Sequence, residues 1–133
     1  MGTLAQIMKR TLKKVAADAS VKEVAKRMGD EKVGSLLVEK GRKFVGIVTE
    51  TDIVRKAAAK GKDLSRVKVE SIMSAPIATM ESTRTIQDAS DLMADAGIRH
   101  LAVTEGGKLV GLVSVRDLLV AFQRVSEPKI TQD

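Results

Sequence analysis

Apolar residues recur at helical spacing in two stretches, Val21, Val24, Ala25 and Met28, then Ile86, Ala89, Leu92 and Met93. Each predicts a helix with one buried face. A hydroxyl residue with an acid three positions on precedes each stretch, Ser20-Val21-Lys22-Glu23 and Thr85-Ile86-Gln87-Asp88, which is the signature of a capped helix start. Gly97 predicts the stop of the second helix. Two β-rich runs follow each helix, at residues 35–39 and 44–49, then at 100–104 and 109–114. They predict hairpins, because Lys40-Gly41-Arg42 and Glu105-Gly106-Gly107 put glycine where a tight turn needs positive φ. A further helix is predicted over about residues 50–59 and 115–124, and a strand near 12–15 and 77–80 precedes the first helix of each set. The order β-α-β-β-α therefore occurs twice.

The two halves are copies. An offset of 65 residues lays Ile7-Met8 on Ile72-Met73 and continues without a gap to Asp52 on Asp117. Met28/Met93, Leu36/Leu101, Val38/Val103, Gly41/Gly106, Lys43/Lys108, Val45/Val110, Gly46/Gly111 and Val48/Val113 are identical pairs. The chain divides into a first repeat with the start of its linker at residues 1–65, a second repeat at 66–125 and a tail at 126–133, which lacks periodicity and is expected to be loose. The polar segment 60–66 breaks the helical pattern and is the candidate link. One such unit has little core of its own. The expected fold is therefore α/β (α+β): two repeats related by a pseudo-twofold axis, with sheets face to face and helices outside. That packing would bury Leu36, Val38, Val45 and Ile47 against Leu101, Val103, Val110 and Leu112.

Composition narrows the function. At 133 residues, 44% hydrophobic and 30% charged, the chain falls in the globular range, and no stretch approaches the roughly 20 apolar residues of a membrane span. The first ten residues lack the features of a secretion signal, so a cytoplasmic location is expected. There is no cysteine and a single histidine, His100, which leaves no thiolate nucleophile and no histidine-rich metal cage. No metal site is expected. Met8, Met28, Met73 and Met93 fall at apolar repeat positions and are expected in the core. The net charge of +6 would attract nucleic acid, acidic lipid or nucleotide. With aromatic residues at only 2%, stacking platforms for single strands are missing.

The sharpest motif is Gly46-Ile47-Val48-Thr49-Glu50-Thr51-Asp52, repeated as Gly111-Leu112-Val113-Ser114-Val115-Arg116-Asp117. Thr49 and Ser114 end a strand and begin a helix, where a hydroxyl and free amides suit oxygen-rich groups. An ionised carboxylate three residues on accepts hydrogen bonds only, which suits the vicinal hydroxyls of a ribose. The glycine is expected to let a ligand approach the backbone. The same pattern is also an ordinary capping box, and one isolated copy would be read that way; two copies in register favour a ligand corner.

On these residues the chain resembles the tandem cystathionine-beta-synthase (CBS) domain pair, or Bateman module. The resemblance rests on the Ile-Met opening of each repeat, Val33-Gly34-Ser35-Leu36-Leu37-Val38, Gly97-Ile98-Arg99-His100-Leu101 and both hydroxyl-x-x-Asp motifs. It implies a regulatory module that binds AMP, ADP, ATP or S-adenosylmethionine in clefts between the repeats, with Asp52 and Asp117 on the ribose and Thr49 and Ser114 on ribose or phosphate. It places Ala78 and Ile98 near the Asp52 cleft, and Lys13 and Val33 near the Asp117 cleft. Arg116, Arg99 and His100 match positions where the family carries basic phosphate contacts, whereas Thr51, Gly34 and Ser35 stand at the equivalent places beside Asp52. The Asp117 cleft is thus expected to prefer phosphorylated ligands, and the Asp52 cleft to be weaker or to suit a less charged one. The resemblance also implies a homodimer through the second helices, where Ile53, Val54, Leu118, Leu119 and Phe122 are available, and an effector protein that the sequence does not name.

Two other classes are weighed against this. No Ser-His-Asp, Cys-His, phosphate-loop or metal-ligand constellation is present, so no enzyme is expected. A basic nucleic-acid-binding protein on the same scaffold is supported by charge, but by no helix-turn-helix motif or aromatic platform.

Overall fold

A computed structural model describes residues 2–126. In chain order the elements are α1 (Leu4–Ile7), β1 (Lys14–Ala16), α2 (Val21–Glu31), β2 (Ser35–Lys40), β3 (Lys43–Thr49), α3 (Glu50–Asp52), β4 (Thr79–Glu81), α4 (Ile86–Ala96), β5 (His100–Glu105), β6 (Lys108–Ser114) and α5 (Val115–Ser126). Two three-stranded sheets result, β1-β2-β3 and β4-β5-β6. In each, the first strand runs parallel to the second and the second is antiparallel to the third. The β-α-β-β-α order read from the periodicity is thus present twice. The tail expected at 126–133 lies outside the described residues beyond Ser126.

The expected turns form for the expected reason. Gly41 and Arg42 have φ of 58° and 68°, and Gly106 and Gly107 have 58° and 81°, the all-positive pair that matches the twist of a two-residue hairpin. Ser20 Oγ accepts from the Glu23 amide at the start of α2, and at α4 the box is reciprocal, with Thr85 accepting from the Asp88 amide and Asp88 accepting from the Thr85 amide. The Arg84 guanidinium, with the Thr85 amide and hydroxyl, holds the Asp88 carboxyl below its ordinary value. Gly97 ends α4 in the left-handed conformation, whereas α2 ends on Lys32 at φ 56°, a stop with no glycine to announce it. Replacing Ser20 by alanine is expected to lower stability by about 1 kcal/mol, read as a lower urea midpoint with an unchanged slope.

Packing divides the chain differently from the duplication. Leu12–Ala78 forms one compact unit, and the described residues up to Thr11 join those from Thr79 in another. The Ile-Met opening of each copy therefore packs within the unit that holds the other copy's hairpin. Ser74 exchanges two backbone hydrogen bonds with Ile47 of β3 at 2.8 and 3.0 Å, and Lys9 exchanges two with Leu112 of β6 at 2.9 Å each. The segment 60–66 is tied down within the first unit: the Leu64 and Val67 carbonyls accept from the Lys22 and Val21 amides, and both side chains pack on the core.

Each unit has its own core, which corrects the expected burial. Leu36, Val38 and Val48 are fully buried among Val21, Val24 and Met28 of α2, with Val45 packed on the same cluster. Leu101, Val103 and Val113 are buried with Ile86, Ala89 and Met93 of α4, with Val110 beside them. These residues thus face their own helices. Ile47 pairs with Leu37, and Leu112 with Ala102, on the faces opposite Val48 and Val113, because side chains alternate along a strand. Val45 and Val110, two residues before Ile47 and Leu112, reach the core face because a register shift leaves each unpaired. The apolar residues expected on the outside also divide: Ile53 and Leu118 are buried in their cores and Phe122 packs on one, while Val54 (58% exposed) and Leu119 (62%) face outward, joined by Val120 (38%), which the expectation did not include.

The second helix of the first copy departs from regular α geometry. After α3 the chain makes a π turn over Ile53–Ala57 and a 3-10 turn over Ala58–Lys60, whereas α5 in the second copy is regular. Among the described residues no helix is long and apolar enough to cross a membrane, and no cluster of three or more His, Cys, Asp or Glu residues could hold a metal ion.

Candidate functional site

The two hydroxyl-x-x-Asp motifs form two strand-to-helix corners of the same construction. In the first, the Glu50 amide donates to the Gly34 carbonyl at 3.0 Å, which fixes the end of β3 against the start of β2. In the second, the Val115 amide donates to the Arg99 carbonyl at 2.9 Å. Register sets Ser35 opposite Thr49 and His100 opposite Ser114. Gly34 and Ser35 therefore sit beside Thr49, and Arg99 and His100 beside Ser114, each within one unit.

Both corners are closed capping boxes. Thr49 Oγ1 accepts from the Asp52 amide at 3.2 Å and Asp52 Oδ2 accepts from the Thr49 amide at 3.0 Å. Ser114 Oγ accepts from the Asp117 amide at 3.2 Å and Asp117 Oδ2 accepts from the Ser114 amide at 2.8 Å. One carboxylate oxygen of each acid is thus spent on its own helix start. The ligand chemistry of a corner then depends on what faces the other oxygen, Oδ1.

Here the copies diverge. Asp52 Oδ1 lies 2.9 Å from Lys56 Nζ, which also donates to the Ile72 carbonyl at 3.1 Å, and the Asp52 side chain is 8% exposed. Asp117 Oδ1 lies 3.7 Å from Lys9 Nζ, an ion pair beyond hydrogen-bond length; Asp117 is 15% exposed and Lys9 73%. Arg99, just before β5, and Arg116, in the first turn of α5, are exposed, and His100 is half-buried on the strand beside the corner. The equivalents in the first copy are Ser74 for Lys9, Gly34 for Arg99, Ser35 for His100 and Thr51 for Arg116. The second corner thus carries Lys9 beside its acid, Arg99 bonded through its carbonyl to the helix start and Arg116 in the first turn of a 12-residue helix, whose dipole also favours an anion.

The other expected ligand residues lie as follows. Lys13 is half-buried, paired with Glu31 at 3.1 Å, and its carbonyl accepts from the Leu37 amide, in the unit that holds Asp52. Val33 packs on that unit's core next to Gly34, and Ala78 is exposed at its last residue. Ile98 packs on the other core, adjacent to Arg99.

The motif glycines serve packing and not ligand approach, which corrects the expectation drawn from them. A Cβ on Gly46 would stand 2.5 Å from Met73 Sδ and 2.9 Å from the Ser74 carbonyl oxygen. On Gly111 it would stand 2.7 Å from Met8 Sδ and 3.1 Å from the Lys9 carbonyl oxygen. The Ile-Met openings lie over these glycines, so both recurrent features are halves of one contact. Sequence reasoning missed Lys9 and Lys56. The Asp52/Lys56 pair at i,i+4 was a readable signal; Lys9 reaches Asp117 only through its pairing with Leu112.

A family model described as the CBS domain matches residues 4–59 and 69–124. The chain is 37% identical over 99 residues to an uncharacterized protein of Methanopyrus kandleri, a match that covers 73% of this chain and 50% of that one. It is 29% identical over 120 residues to the CBS domain-containing protein YhcV of Bacillus subtilis, covering 90% and 85% of the two chains. The chain thus spans half the length of the first relative and most of the second. A solved structure of a protein with CBS domains from Burkholderia ambifaria superimposes with a TM-score of 0.90 at 34% identity, covering 97% of this chain and 99% of that one. With both repeats matched by the family and the whole fold shared, the chain belongs to the CBS-domain family as a tandem pair.

Proposed function

We propose that this CBS pair is a regulatory sensor of adenosine nucleotides, with its principal site at the second corner. Tandem CBS modules are generally regulatory and ligand-binding, and stand-alone CBS proteins are typically not catalytic. The observation that carries the assignment is the set of basic residues at the second corner: Lys9 faces Asp117, the Arg99 carbonyl holds the first helix amide and Arg116 stands in the first turn, and each has an uncharged equivalent in the first copy. Asp117 Oδ1, which lies at a long 3.7 Å contact from an exposed lysine, accepts a ribose hydroxyl when Lys9 turns to the phosphate. Arginine forks match phosphate oxygens and stay charged. Thr49 and Asp52 carry the same hydroxyl and acid without an equivalent of these three cations, and rank second. Val33, Ile98, Ala78 and Lys13 are the proposed adenine neighbours, on the resemblance alone.

The ligand acts by population shift: it favours the arrangement it binds best and so alters the surface offered to an effector protein. CBS-domain proteins often form oligomers, and a homodimer through the exposed Val54, Leu119 and Val120 fits this chain. Calorimetric titration of the wild type with AMP and with adenosine tests the assignment. AMP is expected to bind at least tenfold more tightly than adenosine, with the difference shrinking as salt is raised. Equal affinities defeat the phosphate assignment. Tight oligonucleotide binding that AMP does not displace favours the nucleic-acid alternative.

A further inference from the structure

We propose that Lys56 closes the Asp52 corner, so that each chain offers one nucleotide site where the duplication writes two. The inference rests on the assignment of the corners to nucleotide and adds what decides between them. Both Asp52 oxygens are engaged, Oδ2 by the Thr49 amide and Oδ1 by the Lys56 ammonium. The ammonium is itself held from a second side by the Ile72 carbonyl. A ribose hydroxyl would have to displace a cation from a carboxylate that is 8% exposed. A neutral donor does not replace that charge, and an acid left unpaired in such a place is costly.

The second copy lacks this device at the same position, because Ala121 stands 65 residues after Lys56. The π turn explains how a lysine is accommodated there. In α5 the buried positions are Leu118 and Ala121, three apart; in the first copy they are Ile53 and Ala57, four apart. A regular α phase would carry position 56 toward the core, where an ammonium is expensive. The wider turn puts the methyl of Ala57 there and leaves Lys56 at the rim, 45% exposed and within reach of Asp52.

AMP titrations of the wild type, Lys56→Ala and Lys56→Met test this, the methionine keeping the aliphatic stem should alanine fail to fold. The wild type is expected to bind one AMP per chain, lost in Asp117→Ala. Either Lys56 variant is expected to bind two, and Lys56→Met/Asp117→Ala to retain one that Asp52→Ala removes. Two AMP per wild-type chain, falling to one in Asp52→Ala, overturns the proposal, as does wild-type binding with no gain in a folded Lys56 variant. AMP binding by none of the variants instead defeats the nucleotide assignment itself, and the closure with it. Thermal melts of Lys56→Met, Asp52→Asn and the double variant give a reading without ligand. A double variant no less stable than the worse single confirms the clamp, and additive losses of Tm overturn it.

Discussion

Alanine at Asp117 is expected to weaken AMP binding on the order of 10- to 100-fold, the loss of one hydrogen bond to a charged acceptor. Two losses combine. The ribose loses its acceptor, and the Ser114 amide loses the oxygen that now holds it at 2.8 Å. The second effect lowers stability by about 1 kcal/mol, the usual scale of a lost helix cap. Melting curves of the same variant show whether the fold survives, and calorimetry on the folded protein measures the binding term alone. Asp117→Asn separates charge from shape, since it keeps an oxygen for the cap and drops the charge that pairs with Lys9. Undiminished AMP binding in a folded Asp117→Ala protein overturns the assignment of this corner.

Valine at Gly46 is expected to destabilise the protein by about 1–3 kcal/mol or more, the scale of overpacking in a filled interior. Its Cβ would enter space held by Met73 Sδ and by the Ser74 carbonyl. The thioether can swing aside. The carbonyl cannot, because Ser74 is hydrogen-bonded in both directions to Ile47. Valine at Gly111 meets Met8 and the Lys9 carbonyl in the same way, but here the displaced segment carries the lysine that faces Asp117. Urea denaturation of both variants is expected to show lowered midpoints, with Gly111→Val also losing affinity for AMP. An unchanged midpoint in Gly46→Val shows that the opening segment does not lie over this glycine.

The fold was legible because its information is local and was written twice. The helical spacing of Val21, Val24 and Met28, the cap at Ser20 and the glycines of both hairpin loops each act within a few residues, and each formed the expected element. What misled was the step from strand to face. Leu36, Val38 and Val45 with Ile47 read as one apolar set, yet Ile47 lies on the opposite side of the sheet. Val45 and Ile47 are two apart and by alternation would share a face, but the register shift that leaves Val45 unpaired turns it to the core side, and the alternation of apolar residues does not mark that shift in the sequence. The regular helix expected at 50–59 failed for a related reason. A regular phase would carry Lys56 toward the core, and the π turn places Ala57 there instead.

The sequence by itself determined the duplication, the β-α-β-β-α order and the two hydroxyl-acid corners, since periodicity, capping and turn chemistry are properties of neighbouring residues. Only the tertiary structure decided that each Ile-Met opening lies over the other copy's glycine, that Lys9 meets Asp117, and that the Ile72 carbonyl holds Lys56 from a second side. Those contacts join residues far apart in the chain. Two corners of nearly identical sequence therefore hold their acids differently, because the charge facing Oδ1 in each is brought by the packing around the motif.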